Sequence, residues 1–251
     1  MSETTLKTDL DFYEQNGYLV KKGLISADLL ALVNSEIDQL HQRMATEIPD
    51  GVGISWEEYV HTEPEKPKYI RQLMHSEVVS SGLNQILRSD AVLDVVEALL
   101  GPNISLFHSK LLMKAAEYGT ITPWHQDYSY WKNPENQPLM INCTLSIDAA
   151  TEENGCIQFV PGSHKGELLE HDRASTSFGL FLPGFFKSRA DAVAIETEPG
   201  DCTFFGPLVI HGSAANPSPA HRRANTFAYN ATNNGSQQSR EVLRGELLKS
   251  S

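Results

Sequence analysis

The sequence predicts a mainly β protein with flanking helices, its strands forming a closed or double-layered antiparallel fold. Three observations carry that expectation. Short apolar, β-branched runs recur from about residue 104 to about 232, each broken by Gly or Pro. Helical periodicity is concentrated before them, between residues 7 and 100. Strands and helices do not alternate as a parallel sheet requires, and there is no Gly-rich phosphate loop.

The elements follow in order. Residues 7–16, "KTDLDFYEQN", have the pattern of a short amphipathic helix stopped by Gly17, and "YLVKKGLI" reads as a strand and turn. Ser26 or Asp28 is placed to cap a helix running to about Met44, with Leu29, Leu30, Leu32, Val33, Ile37 and Leu40 on its apolar face. Residues 45–75 form a long irregular excursion, rich in Gly, Pro and aromatic residues, from which "KYIRQLMH" returns as a strand. Two helices are expected around 76–88 and 90–99, before Gly101-Pro102. "ISLFHSKLLMKA", "LMINCTLSIDA", "CIQFV", "DAVAIE", "CTFFG", "VIHGS" and "RANTFAYNA" are the successive strands, while "REVLRG" fits either helix or strand. The Pro-rich segments "NPENQP" and "ANPSPAHR" separate them as loops.

The chain has 251 residues, the size of one generous domain. A net charge of −12 disfavours nucleic acids and anionic membranes as partners, without excluding a local basic pocket. Cys143, Cys156 and Cys202 have neither disulfide-framework nor zinc spacing, and read as buried thiols in a reducing compartment. No long apolar span or targeting segment is evident, so the expectation is a cytoplasmic protein.

The chemistry lies in "TITPWHQDYSYW". In an extended segment, His125 and Asp127 point to one face, where imidazole and carboxylate can converge on an ion. An iron site of two histidines and one carboxylate then needs a second histidine from elsewhere. His211, at the end of the apolar run "FFGPLVIHGS", is the first choice and His164 the second. Arg222, eleven residues beyond His211 across a turn-rich connection, is placed to clamp a carboxylate bidentately. The plain alternatives are a strand-end histidine and an arginine at a sheet edge.

Three motifs, "WHQD", "DAATEENGCIQFVPGSHKGEL" and "HGSAANPSPAHRR", occur in an order that resembles the phytanoyl-CoA dioxygenase family, over roughly residues 8–245. That resemblance implies a single oxygenase domain, with a double-stranded β-helix (a cupin-like jelly roll) at about 104–232. It implies Fe(II) held by His125, Asp127 and His211, and 2-oxoglutarate bound by Arg222 with help from Ser213. Gln126, at a position commonly Gln in the family, either lines the cavity or stabilises the motif. Thr144 stands where many relatives have Trp, so the cosubstrate pocket is expected to be lined differently. Asp127 matches the hydroxylating pattern rather than the halogenating one.

The expected reaction is hydroxylation of an unactivated C–H bond in a small molecule, an amino acid, organic acid or natural-product intermediate, using O2 and releasing succinate and CO2. Desaturation, cyclisation and epimerisation use the same cofactors and stay open, as does a non-catalytic binding module. Tyr128, Tyr130 and Trp131 are the expected aromatic wall of the substrate site, with Asn142, Arg71 and Arg189 as its polar candidates. The excursion at 45–70 reads as a lid, and residues 177–189 as a second lid or a dimer contact; monomer and homodimer both fit.

Overall fold

Alternation within four interior strands, Ile104–Lys114, Met140–Ser146, Cys202–Phe205 and Arg222–Ala231, organises the molecule. In the computed structural model, which describes residues 3–40, 43–44, 47–57, 59, 63, 65–132, 136–173, 179–184, 190–235 and 241–246, these strands are β4, β6, β11 and β13. The strands in chain order are β1 (Tyr18–Lys21), β2 (Ile54–Trp56), β3 (Ile70–Met74), β4 (Ile104–Lys114), β5 (Thr122–His125), β6 (Met140–Ser146) and β7 (Ile157–Phe159). They continue as β8 (Asp172–Arg173), β9 (Leu180–Phe181), β10 (Val193–Ala194), β11 (Cys202–Phe205), β12 (His211–Ser213), β13 (Arg222–Ala231) and β14 (Val242–Arg244).

An eight-stranded sheet has the order β1-β11-β6-β13-β4-β3-β2, with β14 also paired to β4; a four-stranded sheet has the order β10-β7-β12-β5. Side chains on successive strand residues face opposite ways. Leu111, Met113, Cys143, Leu145, Phe204, Phe227 and Tyr229 therefore enter the main core, and the helices cover them. Lys110, Lys114, Thr144, Ser146, Thr203, Arg222 and Thr226 take the opposite face and line a cavity. Register extends this into polar rows: Lys110, Thr226, Thr144 and Thr203 pair in succession, and Arg222 pairs with Lys114.

The helices follow their apolar stripes. Ser26 caps the helix Ala27–Asp38, its side chain accepting from the Leu29 amide. At the helix Ser81–Leu87, the Glu36 carboxylate accepts from the Ser81 and Gly82 amides at 3.1 Å each, a favourable place for an anion. The helix Asp90–Leu100 buries Val92, Leu93, Val95 and Val96 against the large sheet. Further helices among the described residues are Glu3–Asn16, Ser76–Val79 and Tyr128–Trp131, with a 3-10 turn at Ser163–Lys165.

The fold corrects the expectation of a closed double-stranded β-helix. It is mixed α/β with separate sheets. Among the described residues, the larger sheet ends at β1 and β2 and the smaller at β10 and β5, and no ladder joins these edges. The terminal strands are only two to four residues long, and such short edges do not propagate pairing. The excursion after residue 45 is also less irregular than expected, since β2 pairs with β3 and joins the large sheet. "REVLRG" supplies a strand, β14.

Candidate active site

β5 and β12 bring the two predicted histidines together. His125, at the end of β5, lies opposite His211, at the start of β12, as direct antiparallel partners. Their rings stand 4.2 Å apart between centroids. Asp127 arrives differently from the expectation. It is not in an extended strand but has helical backbone angles, φ −57° and ψ −30°, at the start of the turn Tyr128–Trp131. The chain bends after His125, so shared strand-face alternation is not what aligns the two side chains.

One ligand atom from each of the three residues lies within 4.8 Å of the others, and all three residues are buried. His125 Nε2 is 3.5 Å from Asp127 Oδ1, and His211 Nε2 is 3.7 Å from Asp127 Oδ2. Each imidazole is oriented by its other nitrogen: His125 Nδ1 donates to the Pro123 carbonyl at 2.8 Å and His211 Nδ1 to the Val209 carbonyl at 3.0 Å. In the neutral ring this places the lone pair on Nε2, the arrangement that metal-binding histidines use. Burial, then His125, pulls His211 down to about 3, which keeps its ring neutral at physiological pH. Burial alone would protonate Asp127, but Lys110 and His211, helped by His125, hold its carboxyl well below the usual range. Asn142 Nδ2 also donates to Asp127 Oδ2 at 2.8 Å. Two imidazole nitrogens and one ionised carboxylate fit a divalent iron ion and leave room for further ligands.

Beyond the triad the cavity is basic. Arg222 is buried; its Nη2 donates to the Gly155 carbonyl at 2.6 Å, while its buried Nε has no hydrogen-bond partner. Burial pulls its guanidinium down to about 10. Lys114 donates to the Thr120 and Ala214 carbonyls, and burial together with Arg222 and Arg71 pushes its ammonium well below the usual lysine value. Glu57 is the acidic counterpart. Burial raises its carboxyl, Thr120 donates to Oε2 at 2.8 Å, and Oε1 has no hydrogen-bond partner. An orphaned guanidinium nitrogen among converging cations is the environment an anionic ligand completes.

The other predicted site residues divide. Ser213 and Thr144 line the same cavity as Arg222, with Thr144 hydrogen-bonded to Thr226 at 2.8 Å. Arg71 lies where this cavity meets a second cleft, and Tyr130 and Trp131 line that cleft. Gln126 points away from the cavity: Nε2 donates to the Leu208 carbonyl at 2.8 Å, and Oε1 accepts from the Leu169 amide at 2.8 Å. Tyr128 is likewise turned into an apolar cluster, with its hydroxyl on the Asn136 carbonyl. His164 sits apart, donating to the Glu14 carbonyl at 3.2 Å. Arg189, like much of the proposed second lid, lies outside the described residues. Lys110, Glu57, Gln72, Thr120 and Thr226 are among the other lining residues. The sequence offers Lys110 and Lys114 as weaker pocket candidates on their strand and does not single out Glu57, Gln72, Thr120 or Thr226.

The sequence model for phytanoyl-CoA dioxygenase (PhyH) matches residues 13–224. The chain belongs to this family. It is 30% identical over 226 residues to the peroxisomal phytanoyl-CoA dioxygenase of Bos taurus, an alignment covering 85% of this chain and 65% of the bovine one. The chain thus spans somewhat under two thirds of that relative's length. A probable alpha-ketoglutarate-dependent hypophosphite dioxygenase of Stutzerimonas stutzeri is 26% identical, covering 87% of this chain and 76% of that one. Among solved structures, EctD from S. alaskensis with bound Fe superposes with a TM-score of 0.75 at 20% identity, covering 99% and 89% of the two chains. That likeness is one of fold.

Proposed function

We propose that this PhyH-family chain is an Fe(II)- and 2-oxoglutarate-dependent oxygenase acting on a small molecule. The observation that carries the reading is the buried triad of His125, Asp127 and His211, in one cavity with the partly unsatisfied Arg222. When bound, iron and 2-oxoglutarate supply the oxidising power. The balanced outcome for hydroxylation is substrate C–H, O2 and 2-oxoglutarate going to C–OH, succinate and CO2.

The protein's part is placement. The Pro123 and Val209 carbonyls fix both imidazoles, and Asn142 and Lys110 hold Asp127 ionised and oriented. Arg222 is assigned the remote carboxylate of 2-oxoglutarate, with Ser213 and Thr144 beside it and Lys114 adding positive field. Tyr130 and Trp131 are assigned to the substrate side. Gln126 acts as a brace, joining the metal motif to the 167–169 and 208 backbone. Its place inside the motif reflects positioning rather than ligand contact.

No helix among the described residues is long and apolar enough to cross a membrane. The three cysteines are free and buried; this supports a reducing, cytoplasmic setting.

The test is succinate formation from 2-oxoglutarate under 18O2 with Fe(II), ascorbate and a panel of candidate substrates. One 18O atom in succinate and one in a product heavier by a single oxygen is the expected result. Product lighter by two hydrogens indicates desaturation. Absence of succinate above the protein-free control, from protein shown to be metal-loaded, removes the proposal.

A further inference from the structure

We propose that the cleft beside the metal triad is a subsite for a small organic anion, recognised by Lys110. This rests on the oxygenase reading and names the substrate class it leaves open: a molecule with a carboxylate or phosphorus oxyanion on an apolar or aromatic body.

Two spaces meet at the triad. The deeper one contains Arg222. The outer cleft, about 310 Å³, is lined by Phe107, Tyr130 and Trp131 and shares Arg71, Gln72, Lys110, His125 and Asp127 with the first. Asp127 is the only carboxylate in the described lining of the outer cleft, against the two cations Lys110 and Arg71. A bound divalent metal would offset the Asp127 charge and leave the cleft positive. That is a marked local reversal in a chain of net charge −12, and a positively charged cleft concentrates anions.

Lys110 reaches this place through strand alternation. It sits on the cavity face of β4, opposite Thr226, between residues whose side chains enter other surroundings. Its side chain is half-buried, 19% exposed, and its ion-pair contact with Asp127 Oδ1 is 3.8 Å, longer than a good hydrogen bond. Asp127 is its ion-pair partner in the ligand-free protein, and a metal drawing on that carboxylate would leave the ammonium to a second anion. A substrate oxyanion in the cleft provides that partner. Arg71 is differently employed, since it donates to the Ile121 carbonyl at 2.7 Å, so Lys110 is the discriminating cation. The wall opposite is aromatic: the Trp131 ring lies 5.3 Å from Phe107, and Tyr130 stands edge-on to His125 at 6.0 Å.

The experiment uses full-length protein loaded anaerobically with Fe(II) and saturating 2-oxoglutarate. The visible charge-transfer band of the loaded protein is recorded first. No band in the wild type overturns the cofactor reading and this proposal with it; a band followed by no anion preference overturns this proposal alone. Phenylacetate, phenylphosphonate and neutral phenylacetamide are then titrated, following tryptophan fluorescence with Trp131→Phe as the control for signal origin. The wild type should bind the two anions about ten- to a hundredfold more tightly than the amide, the range of one charge-assisted hydrogen bond. Lys110→Met should abolish the preference and Lys110→Arg should retain it, each titrated at Fe(II) and 2-oxoglutarate concentrations that give the full band. Equal binding of anions and amide by the wild type, or an unchanged preference in Lys110→Met, overturns the proposal.

Discussion

Replacing Arg222 with Met separates a ligand-binding role from a structural one. The guanidinium is buried, makes one hydrogen bond to the Gly155 carbonyl, and leaves Nε without a partner. Its positive field also bears on Lys114. In the ligand-free protein, Met removes a desolvated charge and a cation–cation repulsion while losing one hydrogen bond worth about 1 kcal/mol, so stability should stay within ~1 kcal/mol of wild type or rise. In the complex, the same change strips a buried carboxylate of its counter-charge, at a cost of ~3–5 kcal/mol, or about a hundredfold to a few thousandfold in affinity. Anaerobic titration of the Fe(II)-loaded protein with 2-oxoglutarate measures the second quantity, and urea unfolding of the metal-free protein the first. An affinity within about threefold of wild type, or destabilisation of the metal-free protein by more than ~2 kcal/mol, would refute the clamp assignment.

Gln126→Ala should leave the Leu208 carbonyl and Leu169 amide without their side-chain partner, lowering stability by ~2–4 kcal/mol in urea unfolding. Gly212→Ala should weaken Fe(II) binding by about tenfold in anaerobic titration, because its Cβ would meet the Thr122 carbonyl at 3.0 Å and the Trp124 ring at 3.2 Å, separating the strands that carry His211 and His125. Asp201 gives a pH signature. Burial opposes its ionisation, but Lys22 and the Glu198 and Gly23 amides outweigh it and depress its pKa. Its contribution is therefore complete above the unfolded value of about 3.9 and is lost as pH falls through the lower folded value. Asp201→Asn should be less stable than wild type at pH 7, with the difference closing below that value in pH-dependent urea melts; a gap that does not shrink in acid contradicts the linkage.

The triad was legible because its chemistry is concentrated: His and Asp two residues apart, with a second His closing an apolar run. The path by which Asp127 reaches the site was not legible. A strand and a strand followed by a helical turn both bring positions 125 and 127 near one ion, and only backbone angles distinguish them. β4, β6 and β13 were recognisable from their β-branched, apolar content, whereas sheet closure depends on whether distant, short edge strands pair. Gln126 and Tyr128 show the limit of reading by proximity. They flank metal ligands, yet their side chains point into packing and backbone bracing. Lys110 and Lys114 were weaker signals, since a lysine in a strand fits a pocket and a solvent-facing position alike until its neighbours' faces are known.

The most direct test of the central claim is the stoichiometry of the visible band formed anaerobically by Fe(II) and 2-oxoglutarate, measured in wild type, Asp127→Ala and His211→Ala. One absorbing centre per chain in the wild type and none in either variant is the predicted result. A wild type that forms no band, or variants that both keep it at full intensity, would contradict a single iron held by His125, Asp127 and His211.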